Sequence, residues 1–267
     1  MNHWTSSSIE FANQRNYLDE LYKIYPIIPN LKRNLPSGKE SRLETCFREK
    51  NNILLIKELL VLDVFPVKDS YVAYFKRDHS AIERNPKTVD RIAGTLYQMG
   101  FDDMIENCIA PKETNRQIGP MFREWVRKKT LGAEVFDSPE TFLKAPPHEN
   151  AILCGSDRTL GNFAYEHLGY TRKKGLDFIA RFNGKYIIGE SKFLTDRGGH
   201  QNAQFEDAIS TMKSPIKAPP GITVIPISIL DGVLYIKGKN KLYRYLEEHP
   251  DDLIMSALVL REFLYSL

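Results

Sequence analysis

Asp177, Glu190 and Lys192 are the side chains of this sequence best placed to do chemistry together. They stand on two β-prone runs, Leu176 to Phe182 and Lys185 to Lys192, separated only by Asn183-Gly184. Asn-Gly between two such runs is the strongest short-range hairpin signal, because a type I′ turn needs positive φ at both central positions. With those two residues as the loop, Phe182 faces Lys185, Arg181 faces Tyr186, Ile179 faces Ile188, and Asp177 faces Glu190. Side chains alternate along a strand, so Lys192 falls on the same face one step beyond Glu190.

Directly opposed carboxylates repel each other and make a poor choice for stability alone. A cation between them resolves the repulsion. A hard divalent ion such as Mg²⁺ takes one or two carboxylates and keeps room for waters and phosphate oxygens. A neighbouring lysine adds positive charge for a developing phosphorane or an attacking hydroxide. Phosphodiester hydrolysis is the chemistry this set suits. As a bare string, Asp followed a dozen residues later by Glu-x-Lys arises by chance about once in a chain of this length, so the weight falls on the register. The competing reading is a surface hairpin on which Lys192 merely neutralises an exposed acidic pair.

The elements around the hairpin suggest an α/β core. Leu160 to Leu168 reads as a helix before it. Asn202 to Met212 reads as one after it, with Phe205, Ala208, Ile209 and Met212 on one face. The nearly continuous apolar run Ile222 to Leu230 reads as a buried parallel strand, although Pro226 pushes it toward an edge or bulge. Asp231-Gly232 is expected to turn a second hairpin into Val233 to Lys237. The first half reads as helices: Leu54 to Val64; Thr88 to Met99 with Thr88 as N-cap and Gly100 as stop; and a helix from Pro120 ended by Gly132. Asp137 to Gly155 has three prolines and no periodicity, which marks a connection between two halves, 1–150 and 151–267.

The Asp177, Glu190-Ser191-Lys192 arrangement on a hairpin resembles the active-site motif of the PD-(D/E)xK nuclease superfamily, and of type II restriction endonucleases in particular. The helix, hairpin, helix, strand order agrees with that family's core. Asn85-Pro-Lys-Thr-Val-Asp-Arg-Ile-Ala-Gly94 and Asn115-Arg-Gln-Ile-Gly-Pro-Met-Phe-Arg-Glu-Trp125 are also similar to restriction-endonuclease sequences, which extends the likeness over most of the chain. Leu176 stands where the superfamily name has proline. The resemblance implies a restriction-endonuclease-like mixed sheet flanked by helices, with a mainly helical N-terminal half for DNA recognition and dimerisation. It assigns Mg²⁺ binding to Asp177 and Glu190, with the Ser191 carbonyl as an extra ligand, and gives Lys192 the attacking water. Double-stranded DNA as substrate, a homodimer with one site per strand and a methyltransferase protecting the host genome follow from the same class.

Charge supports a DNA substrate locally rather than globally. Over all 267 residues Lys plus Arg number 37 against 34 Asp plus Glu, a net +3. From Thr171 to Arg197, however, seven bases stand against three acids, an excess that suits a phosphate backbone. Lys173 and Lys174 are candidate contacts in that stretch, against the plainer reading of a solvated loop. His200, Gln201 and Gln204 open the next helix and are candidates for phosphate or base edges, against service as caps. Lys112, Arg116, Arg123, Arg127, Lys128 and Lys129 cluster near the first-half helix, with Arg116 and Arg123 the leading DNA contacts. Glu166 is a candidate further acid near the metal, against an outward-facing surface glutamate.

Other classes find little support. Cys46, Cys108 and Cys154 are odd in number and far apart, which argues against disulfides and Cys-x-x-Cys zinc and fits a reducing cytoplasm. Met1 to Glu10 lacks a signal-peptide pattern, and Ile53 to Val67 is broken by Lys57, Glu58 and Asp63, so no membrane span is expected. No Gly-rich phosphate loop or Gly-x-Ser-x-Gly elbow is present. Two alternatives stay open: a repair or junction-resolving nuclease with the same core, and a non-catalytic DNA-binding protein using Thr88 to Met99 as a recognition helix.

Overall fold

Helix α1 (His3–Ala12) starts where the Asn2 side chain accepts the Thr5 N–H, and α2 (Tyr17–Ile24) follows it. The computed structural model describes residues 1–14, 16–26, 33–110, 118–238 and 240–267. Arg116 and Lys112, and with them the start of the Asn115 to Trp125 stretch, lie outside the described residues. The chain forms two compact units, residues 28–112 and residues 1–27 together with 113–267. The division therefore does not fall between 150 and 151, and the first helices belong with the C-terminal unit.

Residues 28–112 are helical where described: α3 (Lys39–Arg48), α4 (Asn52–Leu60), α5 (Ser70–Arg77), α6 (Ala81–Arg84), α7 (Pro86–Met99) and α8 (Phe101–Cys108). They share a core that includes Leu43, Leu55, Ile56, Leu59, Ile92, Leu96 and Met104. Helix α7 buries Val89, Ile92, Ala93 and Leu96 as the periodicity predicts, and Gly100 stops it at φ 90°. Its start differs from expectation. Pro86 occupies the first turn, where its missing N–H costs nothing, so Thr88 lies inside the helix and Asn85 stands at the cap position.

The second unit continues with α9 (Ile118–Arg127), β1 (Glu134–Phe136), α10 (Pro139–Lys144), β2 (Ala151–Leu153) and α11 (Asp157–His167). The site hairpin is β3 (Phe178–Phe182) and β4 (Lys185–Leu194); α12 (Gly199–Met212), β5 (Thr223–Gly232), α13 (Lys241–Glu248), β6 (Ile254–Met255) and α14 (Leu260–Ser266) complete it. The six strands form one mixed sheet in sequence order. β1 and β2 are parallel, β2–β3 and β3–β4 antiparallel, and β4–β5 and β5–β6 parallel. This is an α/β architecture. No helix among the described residues is long and apolar enough to cross a membrane.

Strand alternation divides the apolar residues between two clusters. Phe178, Ala180 and Ile187 pack with Phe122 and Val126 of α9, while Ile179 and Ile188 pack with Leu160 and Phe163 of α11. Each fully buried side chain of this size contributes about 1.5–3 kcal/mol, so a one-residue slip of the hairpin is strongly disfavoured.

Three expectations are corrected. The stretch from 137 to 155 is not a bare connection, since it holds α10 and β2; strands of three residues are too short to show a period. Asp231-Gly232 turns no hairpin. β5 runs through both residues into a 3₁₀ turn at Val233–Tyr235, because the Asp231 side chain is buried and hydrogen-bonded. The helix read as ending at Gly132 ends at Arg127, and Lys129 and Gly132 then take φ of 58° and 77°. Pro226 finds its place because β6 pairs only with Ser228 and Ile229, leaving β5 with β4 alone at position 226.

Candidate active site

The hairpin turn forms on Asn183 and Gly184, with φ of 48° and 74°. Its register pairs Phe182 with Lys185, Arg181 with Tyr186 and Ile179 with Ile188. One residue before β3, the Asp177 N–H donates to the Gly189 carbonyl at 3.0 Å. The acids and the lysine are thereby brought together. Lys192 Nζ lies 3.3 Å from Glu190 Oε2 and 3.8 Å from Asp177 Oδ2.

Both Asp177 oxygens are engaged. Oδ1 accepts from Arg123 Nη1 at 2.8 Å, and Oδ2 accepts from the Ser191 N–H at 3.1 Å. Glu190 Oε1 pairs with Lys174 Nζ at 2.5 Å, and the same ammonium reaches Asp207 Oδ2 at 2.5 Å. Glu190 Oε2 is buried and accepts no hydrogen bond. Burial pushes the Glu190 carboxyl above its ordinary range, an effect that Lys192 and Lys174 only partly offset. Burial works against the Lys192 ammonium too, but Glu190 and Asp177 outweigh it and hold its pKa up.

Arg123, Asp177, Ser191 and Lys192 border a cavity of about 320 Å³ lined also by Gly119, Asp157, Gln204 and Asp207. Gly119 is required by space: a Cβ there would stand 2.7 Å from Asp177 Oδ1. The donor set fits a hard cation. Two carboxylates, one with a buried oxygen lacking an aligned hydrogen bond, suit an ion that takes few protein oxygens and keeps waters and phosphate oxygens. No cluster of three or more His, Cys, Asp or Glu among the described residues offers a closed site of the zinc type.

Ser191 turns its side chain to the opposite face. Its Oγ lies 3.1 Å from the Tyr25 hydroxyl, which donates to Asp231 Oδ2 at 2.9 Å. Asp231 also accepts from the Ser256 hydroxyl and from the Ala257 N–H, and it is fully buried.

Other expected residues fall in different places. Arg123 and Lys174 are inside the cluster, paired with its acids. Glu166 is outside it. On α11 the buried positions are Leu160, Gly161, Phe163 and Ala164, which leaves Glu166 on the outer side, 65% exposed and near His167. With Lys173, Arg158 and Tyr165 it lines a separate cavity of about 500 Å³. Gln204 borders the Asp177 cavity, its amide nitrogen 3.0 Å from Nε2 of the exposed His200. Gln201 faces inward and donates to Thr195 Oγ1 at 3.2 Å. Arg127 and Lys129 pair with Asp137 and Glu134. Asp207 and Tyr25 were not anticipated. Asp207 had a faint signal in its place three residues after Gln204 on one helix; Tyr25, 166 residues from Ser191, had none.

A mixed α/β sheet that brings two opposed acids and a lysine into one ion-paired cluster beside a polar cavity is an arrangement suited to phosphodiester hydrolysis. The chain belongs to the Tsp45I type II restriction enzyme family, whose model matches residues 2–267. It is therefore a type II restriction endonuclease, a site-specific deoxyribonuclease that acts on double-stranded DNA. No curated protein and no solved structure matches the chain.

Proposed function

We propose that this endonuclease hydrolyses DNA with Mg²⁺-activated water at the Asp177, Glu190, Lys192 cluster. The observation that carries the reading is the buried Glu190 oxygen, left without a hydrogen bond on the face that Asp177 shares. That oxygen has the Lys192 ammonium 3.3 Å away as an ion pair but no aligned hydrogen bond, so its accepting capacity is unfilled, which a site kept for a cation explains. Type II restriction enzymes as a class generally need a divalent metal.

In this reading Asp177 and Glu190, with the Ser191 carbonyl, hold the ion. The bound ion would lower the pKa of a water and offset charge on the scissile phosphate. Lys192, kept as an ammonium by its two acids, would donate to the hydroxide left once the attacking water has given its proton to solvent, and it faces the developing negative charge. Lys174 keeps Glu190 oriented and is itself braced by Asp207. Gln204 and His200 border the substrate side, and Lys173 extends the positive surface toward the backbone. The core is read as that of the PD-(D/E)xK superfamily, supported by the order hairpin, α12, β5. Recognition and dimerisation are assigned to helical segments outside the site. A homodimer with one site per strand, a protecting methyltransferase and a cytoplasmic setting complete the proposal.

Long defined duplex DNA incubated with the protein and with its Asp177→Ala and Glu190→Ala variants tests it. Discrete Mg²⁺-dependent fragments, absent with both variants, are expected. Fragments that survive either substitution, or a metal chelator, would overturn the assignment.

A further inference from the structure

Arg123 stands in an unusual relation to Asp177. The guanidinium donates to Oδ1 at 2.8 Å while the Ser191 N–H holds Oδ2, so the carboxylate has no oxygen without a partner. Around it the charges balance: Arg123, Lys174 and Lys192 against Asp177, Glu190 and Asp207, all joined by ion pairs. A divalent cation entering a neutral cluster meets three positive groups. Its entry becomes favourable when one of them leaves or when a negative group arrives with it.

Arg123 is the member placed to leave. Among the described residues it pairs with one acid of the cluster, Asp177, and it borders the open cavity, whereas Lys174 is braced between two acids at 2.5 Å and Lys192 lies between Glu190 and Asp177. The helix carrying it cannot follow. Met121, Phe122 and Val126 are buried in the core, and Gly119 packs so close to the hairpin that a Cβ would stand 2.7 Å from Asp177 Oδ1. Only the side chain is free to swing.

We propose that Arg123 is a latch on Asp177: in the DNA-free protein it competes with a divalent cation for this carboxylate, and a DNA backbone phosphate draws it off. Metal loading and DNA binding are then coupled through one side chain, each favouring the other. The inference rests on the reading of Asp177 as a metal-holding residue.

The test is the affinity of the full chain for Ca²⁺, measured by calorimetry with and without a duplex containing one mapped cleavage site. It is run on the wild type and on the Arg123→Gln, Arg123→Lys and Asp177→Asn variants. Free Arg123→Gln is expected to bind Ca²⁺ about tenfold more tightly than the free wild type, and to gain less affinity from the duplex. Arg123→Lys, which keeps a cation beside Asp177, is expected to stay near the wild type, separating the latch from a folding defect. The salt dependence of duplex binding should also lose about one unit of slope in Arg123→Gln, as for a lost phosphate contact. Equal or weaker Ca²⁺ binding by free Arg123→Gln overturns the latch but leaves the metal reading standing, provided Asp177→Asn loses affinity. Ca²⁺ affinity unchanged in Asp177→Asn removes the metal reading and the latch with it.

Discussion

Glu190 and Asp231 are both buried carboxylates on neighbouring strands, yet their surroundings differ in kind. Asp231 accepts from Tyr25, Ser256 and the Ala257 N–H. Glu190 has two lysines for company and one oxygen with no hydrogen bond. The first is a closed network that secures the fold beneath β4. The second is an open one that the fold tolerates. Because Glu190 and Ser191 are consecutive, one strand presents a polar network of each kind, one on each face. Satisfaction of hydrogen-bonding capacity, rather than burial or charge, separates Asp231 from the acid proposed to hold the metal.

The comparison can be broken from either side. Glu190→Gln keeps the shape and removes the charge. Cleavage under saturating Mg²⁺ should fall by about 10²–10³-fold, while stability by urea unfolding changes by no more than about 1 kcal/mol. Asp231→Ala should do the reverse. It strands several buried donors and is expected to cost about 2–4 kcal/mol in the same unfolding measurement, with a much smaller loss of cleavage per folded molecule.

A pH series sharpens the contrast. Burial pushes the Asp231 carboxyl from 3.8 up to about 6. The folded protein then keeps a proton that the unfolded chain has released, so this stabilisation is full below about pH 4 and lost as pH rises through about 6. The stability advantage of the wild type over Asp231→Asn should shrink across that window by at most about 3 kcal/mol. A constant difference from pH 4 to 7 would mean that Asp231 titrates normally. The smallest effect is expected from Tyr25→Phe, which keeps the ring stacked on Phe193 at 5.4 Å and loses only the hydroxyl. A loss of about 1 kcal/mol in unfolding free energy is the expected outcome.

The two carboxylates also differ in how far the sequence alone revealed them. Glu190 was legible because Asn183-Gly184 admits one tight turn, and a turn of known length sets the register that brings Asp177, Glu190 and Lys192 together. The α12 and β5 periodicities were legible for the same local reason, as was the buried face of α7. Asp231 was misread. Asp-Gly after a strand signals a turn, and nothing local shows that Tyr25, over two hundred residues earlier, supplies its hydrogen bond. Arg123 was visible as a base but not as the partner of Asp177, 54 residues on. The return of Met1–Ile27 to the C-terminal unit likewise has no local signature. Contacts set by turn length can be counted along the chain; contacts set by packing between distant helices and strands cannot.

The central claim is that the face of β4 carrying Glu190 and Lys192, opposite Asp177, is where DNA is cut. Cleavage of a duplex with one mapped site by folded Glu190→Gln protein, in Mg²⁺ and at matched concentration, tests it most directly. The duplex should remain intact over times in which the wild type cuts it completely. Wild-type cutting by a variant whose unfolding midpoint is also unchanged would place the active site elsewhere.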